Sequence, residues 1–223
     1  MLGVIGPRSR EVVQKLTDAD VGALRYFRFY PDPVTVAGVD VYLSRTGFGG
    51  ELGFELFLTD PKDAAEIWNA VVGAGATPFG AEAIEIARVE AGLIVTDYDY
   101  EAHQRTPFDF NLDRFVRFGA GDFQGKGKLR EVASNPPNRF VTLKVAGETL
   151  PDYGVAVSKD GDEVGVLTSP TDSPAFGKIG LAIVPTALAE VGTAVQVGLE
   201  DGTADATVDV LPIYDTNKER PRS

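Results

Sequence analysis

Apolar and polar residues alternate differently in the two parts of the chain. In the first part, short apolar strands (residues 2–5, 34–45 and 54–58) are separated by helical patterns, and glycine or proline marks most of the boundaries. Ala37-Gly38 is a predicted turn or bulge, and two further helices are predicted before Gly92. The order strand, helix, strand, strand, helix, helix indicates a ferredoxin-like, split βαβ domain.

The second part begins after Asn135-Pro136-Pro137-Asn138, the clearest linker, and contains only short strands at close spacing. They fall at residues 140–145, 155–158, 165–168, 180–184, 194–197 and 206–210. The predicted fold class is therefore α+β: a ferredoxin-like split βαβ domain followed by a small antiparallel β-barrel. The predicted divisions are 1–120 for the ferredoxin-like part, 121–138 for a helix and linker, and 139–223 for the barrel. Residues 97–120 are interpreted as a long connecting segment.

Composition and charge exclude several classes of function. The 223 residues carry 21 basic and 33 acidic side chains, a net charge of −12, which argues against nucleic acid as a partner. There is no cysteine and one histidine, His103, so thiol chemistry and a His-rich metal centre are excluded, and we expect no metal. Neither a membrane-spanning run nor a signal-peptide pattern is present, which predicts a soluble cytoplasmic protein without a membrane partner.

One strand carries a candidate binding group. Strand alternation places Glu55 and Phe57 on one face, while Phe54 and Leu56 take the other. Glu55 is either a solvent-facing carboxylate or, with Phe57 and nearby Phe48, part of a site for a flat heterocycle. A heterocycle that donates two adjacent N–H groups, such as the pterin edge of folate, would suit a carboxylate beside aromatic rings.

Other patterns favour structural roles. The glycine-rich loop at residues 47–53 is not a Walker loop, since a strand follows it, and a hairpin loop is favoured. Arg88 and Glu85 have the spacing of a surface ion pair. Residues 168–174 could cap a pocket with hydroxyls, but a rigid turn is favoured. No serine or carboxylate arrangement frames His103, so no catalytic residue is assigned.

Several motifs in order resemble a known family. They are Gly6-Pro7-Arg8-Ser9-Arg10-Glu11-Val12-Val13, the run from Arg45 to Leu56, Arg88-Val89-Glu90-Ala91-Gly92-Leu93, Asp122-Phe123-Gln124-Gly125-Lys126, and Gly165-Val166-Leu167-Thr168-Ser169. Together they resemble the glycine-cleavage T-protein (aminomethyltransferase) family and its tetrahydrofolate-dependent demethylase relatives. The resemblance spans nearly the whole chain.

The resemblance implies a folate site and a tetrahydrofolate cofactor. It implies that Glu55 holds the pterin edge, that Phe48 lines the same pocket and that Phe57 packs beside them. It further implies a small-molecule methyl or aminomethyl donor. The function expected is a tetrahydrofolate-dependent one-carbon transferase, or its folate-binding C-terminal subunit. The alternatives are a non-catalytic folate-binding or scaffold subunit and, beyond this family, an unrelated interaction protein.

Two departures from the family pattern change the expectation. Glycine-cleavage members carry Arg-Asp where this chain has Ile84-Glu85, and Tyr-Gly where it has Thr96-Asp97, which favours the demethylase relatives. Family members also have a region before the Gly-Pro motif, and that region contains the aspartate thought to assist transfer. We therefore expect this chain to resemble a C-terminal half that binds a separate N-terminal-half chain or self-associates.

Overall fold

The computed structural model describes residues 1–101 and 104–223. They form two compact units, one of residues 1–91 with 217–223 and the other of residues 92–216. The first contains a four-stranded sheet and the second a closed six-stranded barrel, which confirms the α+β class and the antiparallel barrel. The domain boundaries at residues 120 and 138 stay predictions.

The helices and strands are bounded as follows. The first unit contains β1 (Leu2–Ile5), α1 (Ser9–Gln14), β2 (Val34–Val36), β3 (Val39–Ser44), β4 (Gly53–Leu58), α2 (Ala64–Gly73) and α3 (Ala81–Glu90). The second contains α4 (Lys126–Ala133), β5 (Asn138–Val145), β6 (Val155–Lys159), β7 (Asp162–Ser173), β8 (Gly177–Pro185), β9 (Ala194–Leu199) and β10 (Gly202–Asp209). Across residues 1–101 and 104–223, no helix has the length and apolar character needed to cross a bilayer.

The sheet of the first unit has the predicted split βαβ arrangement. Its strand order is β1-β4-β3-β2, and every neighbouring pair is antiparallel. Strands β1 and β3 are therefore parallel to each other, with β4 inserted between them and α1 on the connection. Ala37 and Gly38 have φ angles of 50° and 86° and form the predicted turn between β2 and β3. Left-handed φ at both central positions is what a two-residue hairpin of the primed type requires.

The core of this unit lies on one face of the sheet. Phe54 and Leu56 of β4 are fully buried there, and they belong to one apolar cluster with Val13 of α1 and Ile67 of α2. Because successive side chains on a strand point to opposite faces, Glu55 is left on the other face of β4. The apolar alternation of β4 thus determines which face receives the candidate carboxylate.

The barrel has an apolar core in its interior, and an aromatic side chain packs on the outside of one of its strands. Its strand order is β10-β5-β8-β7-β6-β9, and the interior side chains form a second cluster that includes Leu143, Leu167 and Val197. Outside the barrel, Phe110 packs edge-on against Phe140 of β5, with ring centroids 5.3 Å apart. The interpretation of residues 97–120 as a connecting segment missed this packing, in which part of the segment covers β5.

The favoured turn over residues 168–174 is wrong, because β7 continues to Ser173. Pairing with β6 ends at Leu167, whereas pairing with β8 continues to Ser173. Pro170 therefore lies where β7 is paired on one side, and there a strand tolerates a residue without an N–H group. The turn comes after Ser173, whose hydroxyl accepts hydrogen bonds from the N–H groups of Ala175 and Phe176.

The hydroxyls of β7 bind a carboxylate of the same unit. Asp99 is 2% exposed, and its carboxylate accepts hydrogen bonds from the hydroxyls of Thr168 at 2.5 Å and Ser169 at 2.7 Å. The backbone N–H of Val95 donates to its other oxygen at 2.8 Å. A buried charge with this many donors is well compensated, so Asp99 fastens the segment before the barrel to β7.

Removal of this carboxylate should destabilise the protein. We expect Asp99→Ala to lower the free energy of unfolding by about 3 kcal/mol, because buried hydroxyls lose a charged partner. Urea denaturation followed by circular dichroism measures the change. Asp172→Asn is the matched control at an exposed position of the same strand, and there we expect a change below about 0.5 kcal/mol. Equal effects of the two substitutions would contradict the anchoring role.

Candidate functional site

A cavity of about 300 Å³ opens beside β1 in the first unit. Its wall is largely apolar, and the larger side chains that line it are Met1, Leu2, Ile5, Phe48, Trp68, Val71, Val72, Phe79 and Ile84. Among the lining residues that the structure describes, Glu55 supplies the one ionisable side chain. A single carboxylate in an apolar wall is the arrangement expected of a small-molecule site that orients its ligand through one polar group.

Neighbouring strands fix the position of Glu55. Its cross-strand partners are Gly3 on β1 and Ser44 on β3. Gly3 places no side chain beside the carboxylate, whereas Ser44 lies 2.6 Å from the hydroxyl of Thr46, oxygen to oxygen. The Thr46 hydroxyl in turn donates a hydrogen bond to Oε2 of Glu55. Within the described residues Oε1 accepts no hydrogen bond, so it remains available to a ligand.

Phe48 reaches the cavity from the glycine-rich loop between β3 and β4. The hairpin interpretation of this loop is confirmed by the antiparallel pairing of the two strands. A Cβ on Gly49 would lie 3.2 Å from the side chain of Ile84 and 3.3 Å from that of Ile5, so the loop backbone packs closely against both. This close packing holds the ring of Phe48 at the cavity, where it is 39% exposed.

The structure brings Glu55 and Phe48 together but places Phe57 farther along β4. Phe57 shares the sheet face of Glu55, is 42% exposed, and lies opposite Tyr42 of β3. It is not among the residues that line the cavity. Its contribution to the same ligand stays a prediction.

Sequence reasoning missed the helical side of the cavity. Trp68 and Val72 of α2, together with Ile84 of α3, line it, although α2 also buries Ile67 and Val71 in the core. The sequence does contain a signal for this contact, because the apolar face of α2 is wider than packing against the core alone requires. An apolar helix face wider than the core requires is a mark of a second contact.

Two further expectations about charged residues have different outcomes. Arg88 forms the predicted ion pair with Glu85, but its side chain is fully buried, so the surface location is wrong. Both residues lie on α3, and the inward face of that helix carries Arg88 beside Val89. His103 lies outside the described residues.

The residues of both units match domains of one family. Residues 1–120 match the domain described as the GCVT N-terminal domain, and residues 138–215 match the glycine cleavage T-protein C-terminal barrel domain. The first match alone covers more than half of the chain. The chain therefore belongs to the glycine-cleavage T-protein, or aminomethyltransferase, family, as its motifs indicate.

Individual relatives agree with this assignment. An aminomethyltransferase of Streptomyces avermitilis is 38% identical over 229 residues, covering 98% of this chain and 60% of the relative. An aminomethyltransferase of Bacillus velezensis is 37% identical over 227 residues, with shares of 98% and 61%. The chain thus spans about three-fifths of the length of these relatives.

A solved structure has the same fold. The crystal structure of glycine cleavage system aminomethyltransferase T from Bartonella henselae is similar with a TM-score of 0.82 at 24% identity. The similarity covers 95% of this chain and 58% of the other.

The loop that carries Phe48 should depend on the glycine at its end. A Cβ on Gly53 would lie 3.0 Å from the backbone oxygen of Thr46, which is closer than ordinary van der Waals contact. We expect Gly53→Ala to lower the free energy of unfolding by about 1–3 kcal/mol through this overpacking. Gly73→Ala is the matched control: its Cβ would meet nothing within 4 Å on α2, so helix propensity should slightly stabilise the protein. Thermal denaturation of both variants measures the difference, and an unchanged Tm for Gly53→Ala would contradict the steric argument.

Proposed function

We propose that this chain is the folate-binding part of a tetrahydrofolate-dependent one-carbon transferase. The observation that carries the proposal is the carboxylate of Glu55 in an apolar cavity with the ring of Phe48 at its wall. Membership of the aminomethyltransferase family supports tetrahydrofolate as the ligand class. Since the chain spans about three-fifths of its relatives, the activity of the whole protein is part of the proposal.

The chemistry of the pterin suits the site. A pterin is flat and presents two adjacent N–H donors on one edge, which a carboxylate accepts side by side. Oε1 of Glu55 has no protein donor in the described structure, and the cavity wall around it is largely apolar. Phe48 offers a ring face beside it, and a cavity of about 300 Å³ has the size for a pterin ring system rather than for a complete folate.

The proposed reaction is attack by N5 of tetrahydrofolate on an activated one-carbon group. The bond from carbon to its nitrogen, oxygen or sulfur leaving atom breaks as the N5–C bond forms. N5 loses a proton, and the leaving atom gains one. The contribution of this chain is to hold the pterin so that N5 meets the carbon, which replaces a bimolecular encounter by a positioned one. The proton donor is proposed to lie in the remaining part of the family fold.

Ile84 bears on the choice of donor. It lines the cavity at the position where, by the resemblance, glycine-cleavage members carry arginine. An isoleucine there gives the site one less cation for a charged donor, which supports a methyl donor of the demethylase type. An aminomethyl donor is the alternative, since the curated relatives are named aminomethyltransferase. Transfer assays with donors of the two types, monitored by the modified tetrahydrofolate formed, distinguish them.

A non-catalytic folate-binding or scaffold subunit is the second candidate function. Strand β1 forms one edge of its sheet. Beside it Met1, Trp68 and Phe79 are 72%, 44% and 50% exposed. An exposed strand edge with apolar side chains is suited to pairing with another chain. These features support a requirement for a separate chain or for self-association.

Replacement of Glu55 tests the folate assignment. Glu55→Gln keeps the shape of the side chain but removes the charge and one acceptor, so tetrahydrofolate binding should weaken by about 1.5–3 kcal/mol. Calorimetry on the purified chain gives the affinity. Glu82→Gln, at the exposed start of α3 and outside the cavity, should leave it unchanged. Unchanged affinity of Glu55→Gln would remove Glu55 from the site.

The separate-chain proposal makes its own prediction. The 223 residues alone should bind tetrahydrofolate weakly and transfer no one-carbon group, because none of them is assigned a catalytic role. Gel filtration should show self-association, or a complex once a chain carrying the remaining part of the family fold is added. Robust transfer by an isolated monomer would contradict this requirement.

A further inference from the structure

Two arginine side chains meet at the chain segment 217–223, which we call the tail. The guanidinium of Arg45 donates hydrogen bonds to the backbone oxygens of Leu24 at 3.1 Å and Pro221 at 3.4 Å, and to that of Ser223. Arg10 donates to the same oxygen of Ser223 at 2.6 Å. The backbone oxygen of Ser223 thus accepts hydrogen bonds from two guanidinium groups.

Arg45 is the buried member of this arrangement, whereas Arg10 is partly exposed. Arg45 is 6% exposed, and its pKa is lowered by burial and by the positive charge of Arg10. In the part of the chain that the structure describes, no Asp or Glu side chain forms an ion pair with either arginine. Neighbouring guanidinium groups repel each other, and the tail oxygens that accept hydrogen bonds from them offset part of this repulsion. Arg10 and Arg45 are therefore held near each other by hydrogen bonds to the tail.

The tail also contacts the glycine-rich loop. Arg220 forms an ion pair with Glu51 at 3.1 Å, and Pro221 is buried. Glu51 lies three residues after Phe48 in the same loop. Arg45 directly precedes Thr46, whose hydroxyl donates to Glu55. The tail is thus fastened at both ends of the loop that presents the candidate site.

We propose that Arg45 and Arg10 are positioning residues for the folate site: they clamp the tail, and the clamped tail holds the loop that carries Thr46 and Phe48. The inference rests on the proposed function, because the loop matters to a ligand only if the cavity binds one. Neither arginine lines the cavity, so their effect on binding passes through the loop.

Four substitutions in the 223-residue chain test the clamp, namely Arg10→Gln, Arg45→Gln, Arg45→Lys and Arg220→Gln. Hydrogen exchange of the backbone amides of residues 46–52 measures the order of the loop without any ligand, and calorimetry with tetrahydrofolate measures binding. Arg8→Gln is the matched control, since Arg8 forms a surface ion pair with Glu11 on the same helix as Arg10 and does not contact the tail.

If the arginines clamp the tail, the substitutions should change loop exchange and tetrahydrofolate affinity to different degrees. Arg45→Gln should accelerate exchange of the loop amides and weaken binding about tenfold, because it loses charged hydrogen bonds. Arg45→Lys should lie between the wild type and Arg45→Gln, since an ammonium cannot reach several oxygens in the fixed fork of a guanidinium. Arg220→Gln should weaken binding about two- to fivefold, as expected for a partly exposed ion pair. Arg8→Gln and the barrel amides should be unchanged.

The outcomes separate the two proposals. If the wild-type chain fails to bind tetrahydrofolate, the proposed function is overturned, and the positioning of a folate site falls with it. If the wild type binds but the variants keep wild-type affinity and loop exchange, the clamp alone is overturned. Should Arg45→Gln fail to fold, as judged by circular dichroism, Arg10→Gln and Arg220→Gln decide the result.

Discussion

The close approach of the two ends of the glycine-rich loop is the constraint on which the candidate site depends. Gly53 begins β4 so near to the carbonyl of Thr46 that a methyl group would touch it. This proximity allows the Thr46 hydroxyl to reach Glu55 across the hairpin. It also places Phe48 at the cavity wall. A wider loop would separate the carboxylate from its hydroxyl partner and the aromatic ring from both.

Asp99 and Glu55 are both carboxylates that accept hydrogen bonds. Asp99 stabilises the structure of the barrel unit, whereas we propose that Glu55 binds a ligand in the other unit. Asp99 accepts two hydroxyls and one N–H and is 2% exposed, so its charge is used within the barrel unit. Glu55 accepts one hydroxyl and lies half-buried in a cavity wall. A partly buried carboxylate with one engaged oxygen gains stability from a ligand that supplies further donors. The two carboxylates therefore differ in the number of hydrogen bonds they accept from the protein. Asp99 is engaged within its own unit, whereas Glu55 can still accept hydrogen bonds from a ligand.

Sequence alone predicted the features that depend on local patterns. Alternation along β4 placed Glu55 opposite Phe54 and Leu56, and Ala37-Gly38 marked the hairpin turn, because both follow from the strand period and from φ preferences. The motifs indicated the family before any geometry was known.

Features that depend on distant partners were not predictable in this way. The hydroxyl-rich run from Thr168 to Ser173 has the composition of a turn, yet pairing with β8 keeps it extended and Asp99 uses its hydroxyls. The burial of Arg88 likewise depends on what packs around α3, which no spacing along the helix reveals. The tail clamp joins residues more than 170 positions apart, so no local window contains it.

The electrostatics of the cavity limit what the site can select. The chain carries a net charge of −12, and among the described residues no cationic side chain lines the cavity beside Glu55. An anionic group entering there would meet the carboxylate of Glu55 with no cationic side chain beside it, so charge repulsion would oppose its binding. A neutral heterocycle that donates N–H groups would meet an acceptor without having to displace a protein donor from Oε1. This charge distribution supports the proposed pterin ligand, because the carboxylates of a folate are attached at the opposite end of the molecule and would remain outside the cavity.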